Sequence, residues 1–438
     1  MLKVENQDDV RELPHSIGEL LDLKHLSLRN CTNLQKLPDS IGELRMLLYL
    51  DLSCTGISGL PASIGRLESL LRIDLSRTQI AELPDSIGNL RRLKFMCLDG
   101  TDIRELPKNI WTLENLEELI ARGCKNLKGE IPSEIVGLSQ LKILNLSRSK
   151  VSRLPITMNR LYSLRELVLS DCNRLQLLPN LPTRLAKVEL SSSSLQAIPN
   201  LSNLTNLLHL DISDCSFDFQ FLKTTQGRVA NPTLEWLGRL NELQFLRLLR
   251  SLEITCADPR SLTRLPPSLE VLSLEDVKTP MEWPMFSNLG NLSELKLFGC
   301  WLTEIEFGNV LGRLANLQRL QVRKCELLER LSNLSSLKEL RMLSLEYCPR
   351  LMEIKFEPSS LRDCDSTSTE RPIPDSQKLE KLRSLRVYYC ESVRRLPGVP
   401  DACDVKVYPW GCLTRSETGP ISIGDRLGIA DLGPKLCC

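Results

Sequence analysis

The sequence predicts an α/β repeat solenoid, a horseshoe with a parallel β-sheet on its concave side and short helical or irregular segments on its convex side. One observation is an L-x-x-L-x-L pattern that returns every 20 to 25 residues along most of the 438-residue chain. The other is a phrase, L-P-x-S-I-G-x-L, that follows the pattern in the early copies. With the fourth residue of the first pattern as anchor, the series runs Leu26, Leu50, Ile73, Met96, Leu119, Leu144, Leu167, Val188, Leu210, Leu252, Leu272, Leu295, Leu320, Leu343 and Leu385. Two gaps of 42 residues read as double steps, each hiding an irregular copy.

The period has a mechanical cause. Alternation in L-x-L turns Leu26 and Leu28, or Leu50 and Leu52, to one side of a short strand and the residues between them to the other. One coil cannot bury that apolar edge alone, so coils stack, as in a leucine-rich-repeat solenoid. Roughly sixteen coils, with strands about 4.8 Å apart, give a curved sheet on the order of 75 Å long. The convex half is read from Leu37-Pro38-Asp39-Ser40-Ile41-Gly42, Leu60-Pro61-Ala62-Ser63-Ile64-Gly65 and Leu83-Pro84-Asp85-Ser86-Ile87-Gly88. Proline fixes φ and donates no amide, which starts a turn or short 3₁₀ piece with Ile41 or Ile64 as its inward plug; the glycines are turn residues of the repeat.

Half of the sixteen cysteines fall in one slot. Cys31, Cys124, Cys172, Cys215, Cys300, Cys325, Cys348 and Cys390 lie five residues after their anchors, where other coils have Thr55, Thr78, Thr101, Ser149 and Ser193. A small, weakly polar side chain turning inward at the strand end fits all three residue types. Buried reduced thiols are expected there, since no C-x-x-C pair marks a zinc site. The sequons at Asn30, Asn145, Asn200, Asn203, Asn291 and Asn333 are mostly by-products of the repeat phrases N-L-S and N-L-T.

No catalytic constellation, cofactor motif or metal motif emerges, and a non-enzymatic role is expected. His15, His25 and His209 are far apart, and no G-x-x-x-x-G-K-[ST] loop is present. Asp51 and Asp74 adjoin in neighbouring strands, where a solvated column explains them better than an acid pair. A formal net charge of +1 with no basic stripe argues against nucleic acid, and no apolar stretch reaches membrane-spanning length. The charged segment Met1 to Val10 lacks the apolar core of a leader, which points to the cytoplasm or nucleus. Leu2 and Val4, leading into Val10, Leu13 and Pro14, form a partial copy, so the start reads as cut.

The units L-P-D-S-I-G-x-L, the phrase Leu50-Asp51-Leu52-Ser53 and the strand-end cysteine followed by x-x-L (Cys31 to Leu34, Cys124 to Leu127, Cys172 to Leu175) together resemble a known family. They are similar to the repeat domain of plant intracellular NB-LRR disease-resistance proteins, most of all the TIR-bearing branch. The resemblance covers about residues 1 to 410. It implies a sensor that recognises a pathogen effector or guarded host protein and restrains a nucleotide-binding domain, which is missing from this chain. Two other families stay open. Ras-group scaffolds share L-P-x-x-I-G-x-L but usually place Asn in the strand-end slot. Receptor-kinase ectodomains carry L-x-G-x-I-P in nearly every unit, and here it occurs once, at Leu127 to Pro132. A truncated product acting as a decoy or adaptor is a further alternative.

The expected domain layout is a solenoid over 1–410, with irregular units around 216–242 and 355–380, and a non-repeat tail over 411–438. Trp236 to Leu248 reads as a longer amphipathic helix. The outward column after the anchors runs from Ser27, Asp51 and Asp74 through Glu189 and Asp211 to Glu253, Ser273, Lys296, Gln321, Ser344 and Arg386. Two residues further on, Ser53, Ser76, Ser147, Ser170, Ser191 and Ser213 give way to Phe298, Arg323, Glu346 and Tyr388. Aromatics and arginine dominate binding hot spots. The candidate protein-binding patch is therefore Phe298, Trp301, Arg319, Arg323, Glu346, Tyr347, Arg386, Tyr388 and Tyr389 on the concave face.

Overall fold

The computed structural model describes residues 1–195, 201–213, 234–249, 265–276, 288–307, 314–355, 379–393 and 402–408. Their main sheet has seventeen strands, all parallel. Each pairs with the next in chain order, from Leu2–Lys3 through His25–Ser27 and onward to Asp404–Tyr408. The anchors face one another in register: Leu26 with Leu50, Leu50 with Ile73, Ile73 with Met96, and Leu295 with Leu320. Every one of these is buried to 1% exposure or less, as are Leu28, Leu52 and Leu75 two positions on. The fold is the leucine-rich-repeat solenoid that the periodicity predicts.

Seven successive coils place a five-residue 3₁₀ turn on the convex side, from His15–Glu19 to Ile156–Arg160. Each begins after a proline, whose φ near −67° and extended ψ set the entry at Pro14 and Pro61. The proline carbonyl accepts the amide three residues later, as in Ile17 N–H to Pro14 O at 3.0 Å and Ile64 N–H to Pro61 O at 3.0 Å. Ile41 and Ile64 plug the interior with no exposure. The following glycine serves a close approach between coils: a Cβ on Gly65 would sit 2.5 Å from the Ser86 carbonyl oxygen.

The strand end carries a device that the leucine pattern conceals. The residue four after the anchor is left-handed in coil after coil: Asn30, Cys54, Arg77, Arg148, Asp171, Lys324, Tyr347 and Tyr389 all have φ between 51° and 59°. Gly100, Gly123 and Gly299 fill the same place elsewhere. This reversal turns the fifth residue inward. Buried cysteine there donates its thiol to the preceding coil, as Cys31 Sγ does to Val4 O at 3.1 Å and Cys172 Sγ to Leu146 O at 3.1 Å. Threonine bonds within its own coil, Thr55 Oγ1 to Leu52 O and Thr78 Oγ1 to Leu75 O, both at 2.7 Å. Seven of the eight expected slot cysteines are free and buried; Cys215 lies outside the described residues. Burial raises the thiol pKa of Cys124 and Cys172, and Cys325, beside Cys300, is pushed up to about 12.

Four expectations are corrected. Leu252 lies outside the described residues, and the rung after Leu210 is Leu246, which pairs with Leu210 on one side and Leu272 on the other. The 42-residue gaps are therefore not double steps, and Leu343 likewise pairs directly with Leu385. The helix expected over Trp236 to Leu248 is a 3₁₀ turn, Leu234–Arg239, followed by the strand Phe245–Leu249. Its apparent helical spacing, Leu240, Leu243 and Leu246, is the spacing of every coil, such as Leu67, Leu70 and Ile73. In the short coil after Val188, Ser192 and not Ser193 turns inward, because no left-handed residue precedes it; Ser192 is buried and bonds Leu175 O at 2.8 Å, while Ser193 is exposed. Residues 216–233 and 356–378, and the tail 411–438 with Cys437 and Cys438, lie outside the described residues.

Two substitutions test this packing. Leu295→Ala should lower unfolding free energy by about 2 to 5 kcal/mol through the cavity it leaves, measured by urea denaturation; parity with the parent would refute the inward placement. Gly65→Ala should cost about 1 to 3 kcal/mol, because the methyl group meets backbone oxygen that stacked turns cannot move. A neutral result would show that the coils have room to separate.

Candidate functional site

The concave face is formed by the strand residues that do not enter the core, arranged in columns by the register. In the N-terminal coils these residues mostly satisfy one another. Asp51 Oδ1 accepts the Ser53 backbone amide at 2.9 Å and the Ser53 hydroxyl at 2.6 Å, and Asp74 does the same for Ser76. Asn145 serves Ser147 alike. The D-L-S phrase thus caps its own strand end, which accounts for the acidic column without an acid pair. Phe95 lies under the Arg72 guanidinium at 3.8 Å, and His25 stacks on Tyr49 with centroids 4.5 Å apart.

A charged cluster that sequence columns did not single out occupies the middle rungs. Arg247, in the place assigned to Glu253, spans two carboxylates: its Nη1 is 3.5 Å from Asp211 Oδ2 and its Nε 3.3 Å from Glu275 Oε1. Asp211 Oδ1 is buried with no hydrogen-bond partner among the described residues, and burial lifts this carboxyl from its ordinary value to about 6 against the pull of Arg247. Burial also raises Glu189, but Lys187 at 2.8 Å, His209 and Ser170 outweigh it, and its net shift is downward. His209 stacks flat on Phe245 with centroids 4.0 Å apart, and burial followed by Lys187 lowers its pKa, so the imidazole is neutral at pH 7. The signal that could have found this cluster is the L-x-L of Leu246 and Leu248, which fixes Arg247 beside Asp211.

The C-terminal rungs bring together most of the predicted patch. The strands Glu294–Phe298, Arg319–Arg323, Met342–Glu346, Ser384–Tyr388 and Asp404–Tyr408 pair in sequence, aligning Phe298, Arg323, Glu346, Tyr388 and Tyr408 in one column. Arg323 Nε contacts Glu346 Oε2 at 3.3 Å, and its guanidinium lies 5.7 Å from the Phe298 ring centroid and 5.9 Å from that of Tyr347. Lys324 Nζ covers Phe298 at 5.3 Å. Tyr347 and Tyr389, both left-handed strand-end residues, stack with centroids 4.6 Å apart, and Tyr408 meets Tyr389 edge-on at 5.2 Å. Arg319 is exposed and 3.8 Å from Glu294, and Arg386 is half-buried in the column beside Ser344. Trp301, 49% exposed, stands past the strand end and makes no ring or ion-pair contact with the others among the described residues. Tyr408 was missed because its coil reads V-x-V in place of L-x-L; Lys324 was missed because it sits off the two columns.

Beside the sheet, Cys300, Cys325, Cys348 and Cys390 form a buried run in consecutive coils. Each thiol donates to a neighbouring coil, for example Cys300 Sγ to Leu274 O at 3.3 Å and Cys390 Sγ to Leu345 O at 3.6 Å. The run is structural: it ties strand ends together beneath the aromatic ledge.

This geometry defines a class, a repeat solenoid that offers a broad sheet face and no enclosed reaction centre among its described residues. The family description "leucine-rich repeat region" matches residues 2–74 and 123–326, more than half of the chain, and the protein belongs to that family. Its architecture fits a protein-interaction module. No curated protein matches the chain in sequence. Among solved structures it is similar to a leucine-rich repeat protein of Leptospira interrogans, at 23% identity over 82% of this chain and 91% of that one, with a TM-score of 0.54. It is similar to the functional domain of InlJ from Listeria monocytogenes, which includes a cysteine ladder, at 17% identity over 85% and 69% with a TM-score of 0.51. The Drosophila Toll–Spatzle complex matches at 16% identity over 90% of this chain and 54% of that one, with a TM-score of 0.55. These likenesses show the fold alone.

Asp211 gives a pH test. The folded chain holds its proton up to about pH 6, whereas the unfolded chain releases it near 3.8, so the charge burdens the fold fully above pH 6 and less as pH falls. Asp211→Asn should therefore stabilise the protein by on the order of 1 kcal/mol at neutral pH, after allowance for solvent screening. Urea unfolding should show that gain shrinking by more than half near pH 4.5. A gain independent of pH would exclude the buried carboxylate as its source.

Proposed function

We propose that this chain is the ligand-sensing repeat domain of a plant intracellular immune receptor of the NB-LRR, TIR-bearing type, acting without catalysis in the cytoplasm. Its partner is a pathogen effector or a guarded host protein, and it restrains a nucleotide-binding domain. The observation that carries the recognition role is the C-terminal concave patch, where Phe298, Arg323, Tyr347, Tyr388 and Tyr389 gather on four paired rungs. Rigid aromatics and an arginine already held by Glu346 lose little entropy on binding and offer both area and polar contacts.

The receptor type rests on the repeat chemistry. The strand-end slot that Ras-group scaffolds fill with asparagine holds cysteine, threonine or serine, and the cysteines and threonines donate to backbone carbonyls of their own or the preceding coil. The single L-x-G-x-I-P phrase forms one small side pairing, Lys128–Glu130 with Lys150–Arg153, where a receptor ectodomain would repeat it. A nucleotide-binding domain encoded directly upstream in the same reading frame would support the receptor type; a kinase or secretion leader in the full gene product would overturn it.

Alanine at both Arg323 and Tyr388 should weaken binding of a partner captured from native tissue by at least about 2 kcal/mol, roughly 30-fold. Circular dichroism and urea unfolding of the variant should match the parent, because both side chains lie outside the core. Unchanged affinity in a titration with the purified partner would remove this patch from the recognition surface.

A further inference from the structure

We propose that the C-terminal rungs take up an acidic polypeptide segment, and that Arg386 is the cation reached by one of its carboxylates. The proposal rests on the reading of this patch as the recognition surface and names the chemistry of its partner.

On these five strands the basic residues are Lys296, Arg319, Arg323, Arg386 and Lys406, and the acidic ones Glu294, Glu346 and Asp404. Four of the cations are engaged. Lys296 and Arg319 share Glu294 at 3.0 and 3.8 Å, Arg323 holds Glu346 at 3.3 Å, and Lys406 holds Asp404 at 3.3 Å. Among the described residues Arg386 has no ion pair, and its Nε is shut off from solvent without a hydrogen-bond partner. An N–H left in that state is costly, and a guanidinium fork satisfies itself best on a carboxylate. Arg386 sits between Ser344 and Lys406 in its column, two residues from Tyr388, so a ligand reaching it passes over tyrosine.

The neighbouring rungs reject the opposite charge pattern. The five strands from Glu166–Leu169 to Val271–Glu275 carry Glu166, Glu189, Asp211 and Glu275 against Lys187 and Arg247. The face therefore changes sign along its length. A basic segment would meet Arg386 as a like charge, and the continuous phosphate backbone of a nucleic acid would meet the middle carboxylates. A short acidic stretch of protein, confined to the last rungs, meets neither.

The test uses a fluorescein-labelled hexaglutamate peptide, with hexalysine and a twelve-nucleotide oligothymidylate of the same label, in fluorescence anisotropy titrations of the full chain at low ionic strength. Hexaglutamate should bind and hexalysine should not. Arg386→Gln should weaken hexaglutamate by about 10-fold or more, and Arg386→Lys should restore part of the loss. Arg122→Gln, an exposed position on the N-terminal half of the same face, should change nothing. Unfolding midpoints of all variants confirm that each is folded. Absence of hexaglutamate binding, equal weakening by Arg122→Gln, or tighter oligothymidylate binding would each overturn the proposal. If Arg386→Gln leaves hexaglutamate untouched while the Arg323 and Tyr388 double variant still loses its partner, the acidic chemistry fails and the recognition surface stands. Loss of neither fails both.

Discussion

Every feature of this protein depends on the fact that one coil cannot bury its own apolar edge. A single L-x-x-L-x-L unit has three or four inward side chains and a three- to five-residue strand, too little to offset the entropy of ordering the coil. Stacked, the same residues form one unbroken hydrophobic cluster from Ile17 to Val407. The consequence is a structure whose long axis is set by strand pairing and whose width is set by a single coil. Its sheet has one face in the core and the other in solvent over its whole length, which is why the surface for recognition is large and shallow.

The inward half of each coil was legible in the sequence because burial demands aliphatic side chains at fixed intervals, and Leu26, Leu50 or Leu295 could be assigned without coordinates. The convex turns were legible too, since proline and the following isoleucine mark them. The strand-end reversal was not. A left-handed residue can be Asn30, Cys54, Arg77, Gly100 or Tyr347, so no single residue type announces it, and only the pairing of a reversed fourth position with a small donor in the fifth reveals the rule. Where the rule lapses, as after Val188, counting from the anchor misplaces the inward residue by one.

The same reasoning explains where the register went wrong. The stretch from Leu246 to Ile254 offers two L-x-L phrases, and a count by mean spacing cannot choose between them. The choice is made by the coil on either side: Leu237, Leu240 and Leu243 supply the interior below Leu246, and Leu269 supplies it below Leu272. The rungs at Leu210 and Leu246 are neighbours although they lie 36 positions apart in the chain. For the patch, columns named from the sequence were right wherever the anchor was right. Phe298, Arg323, Glu346 and Tyr388 line up, and Glu253 had to yield its place to Arg247.

The core demands nothing of the outward positions beyond compatibility with a strand, which makes their pattern informative. In the first coils, aspartate and serine are consumed in capping their own strands and leave few groups free. Toward the middle, carboxylates accumulate, and burial lifts the Asp211 carboxyl to about 6. In the last rungs the sign reverses and tyrosines replace serines on the same column. Neither the accumulation nor the reversal helps the coils stack: like charges in adjacent rungs oppose strand pairing, and exposed aromatics forgo burial. A pattern that weakens the scaffold and is confined to the solvent face has its physical rationale outside the stacking of the coils.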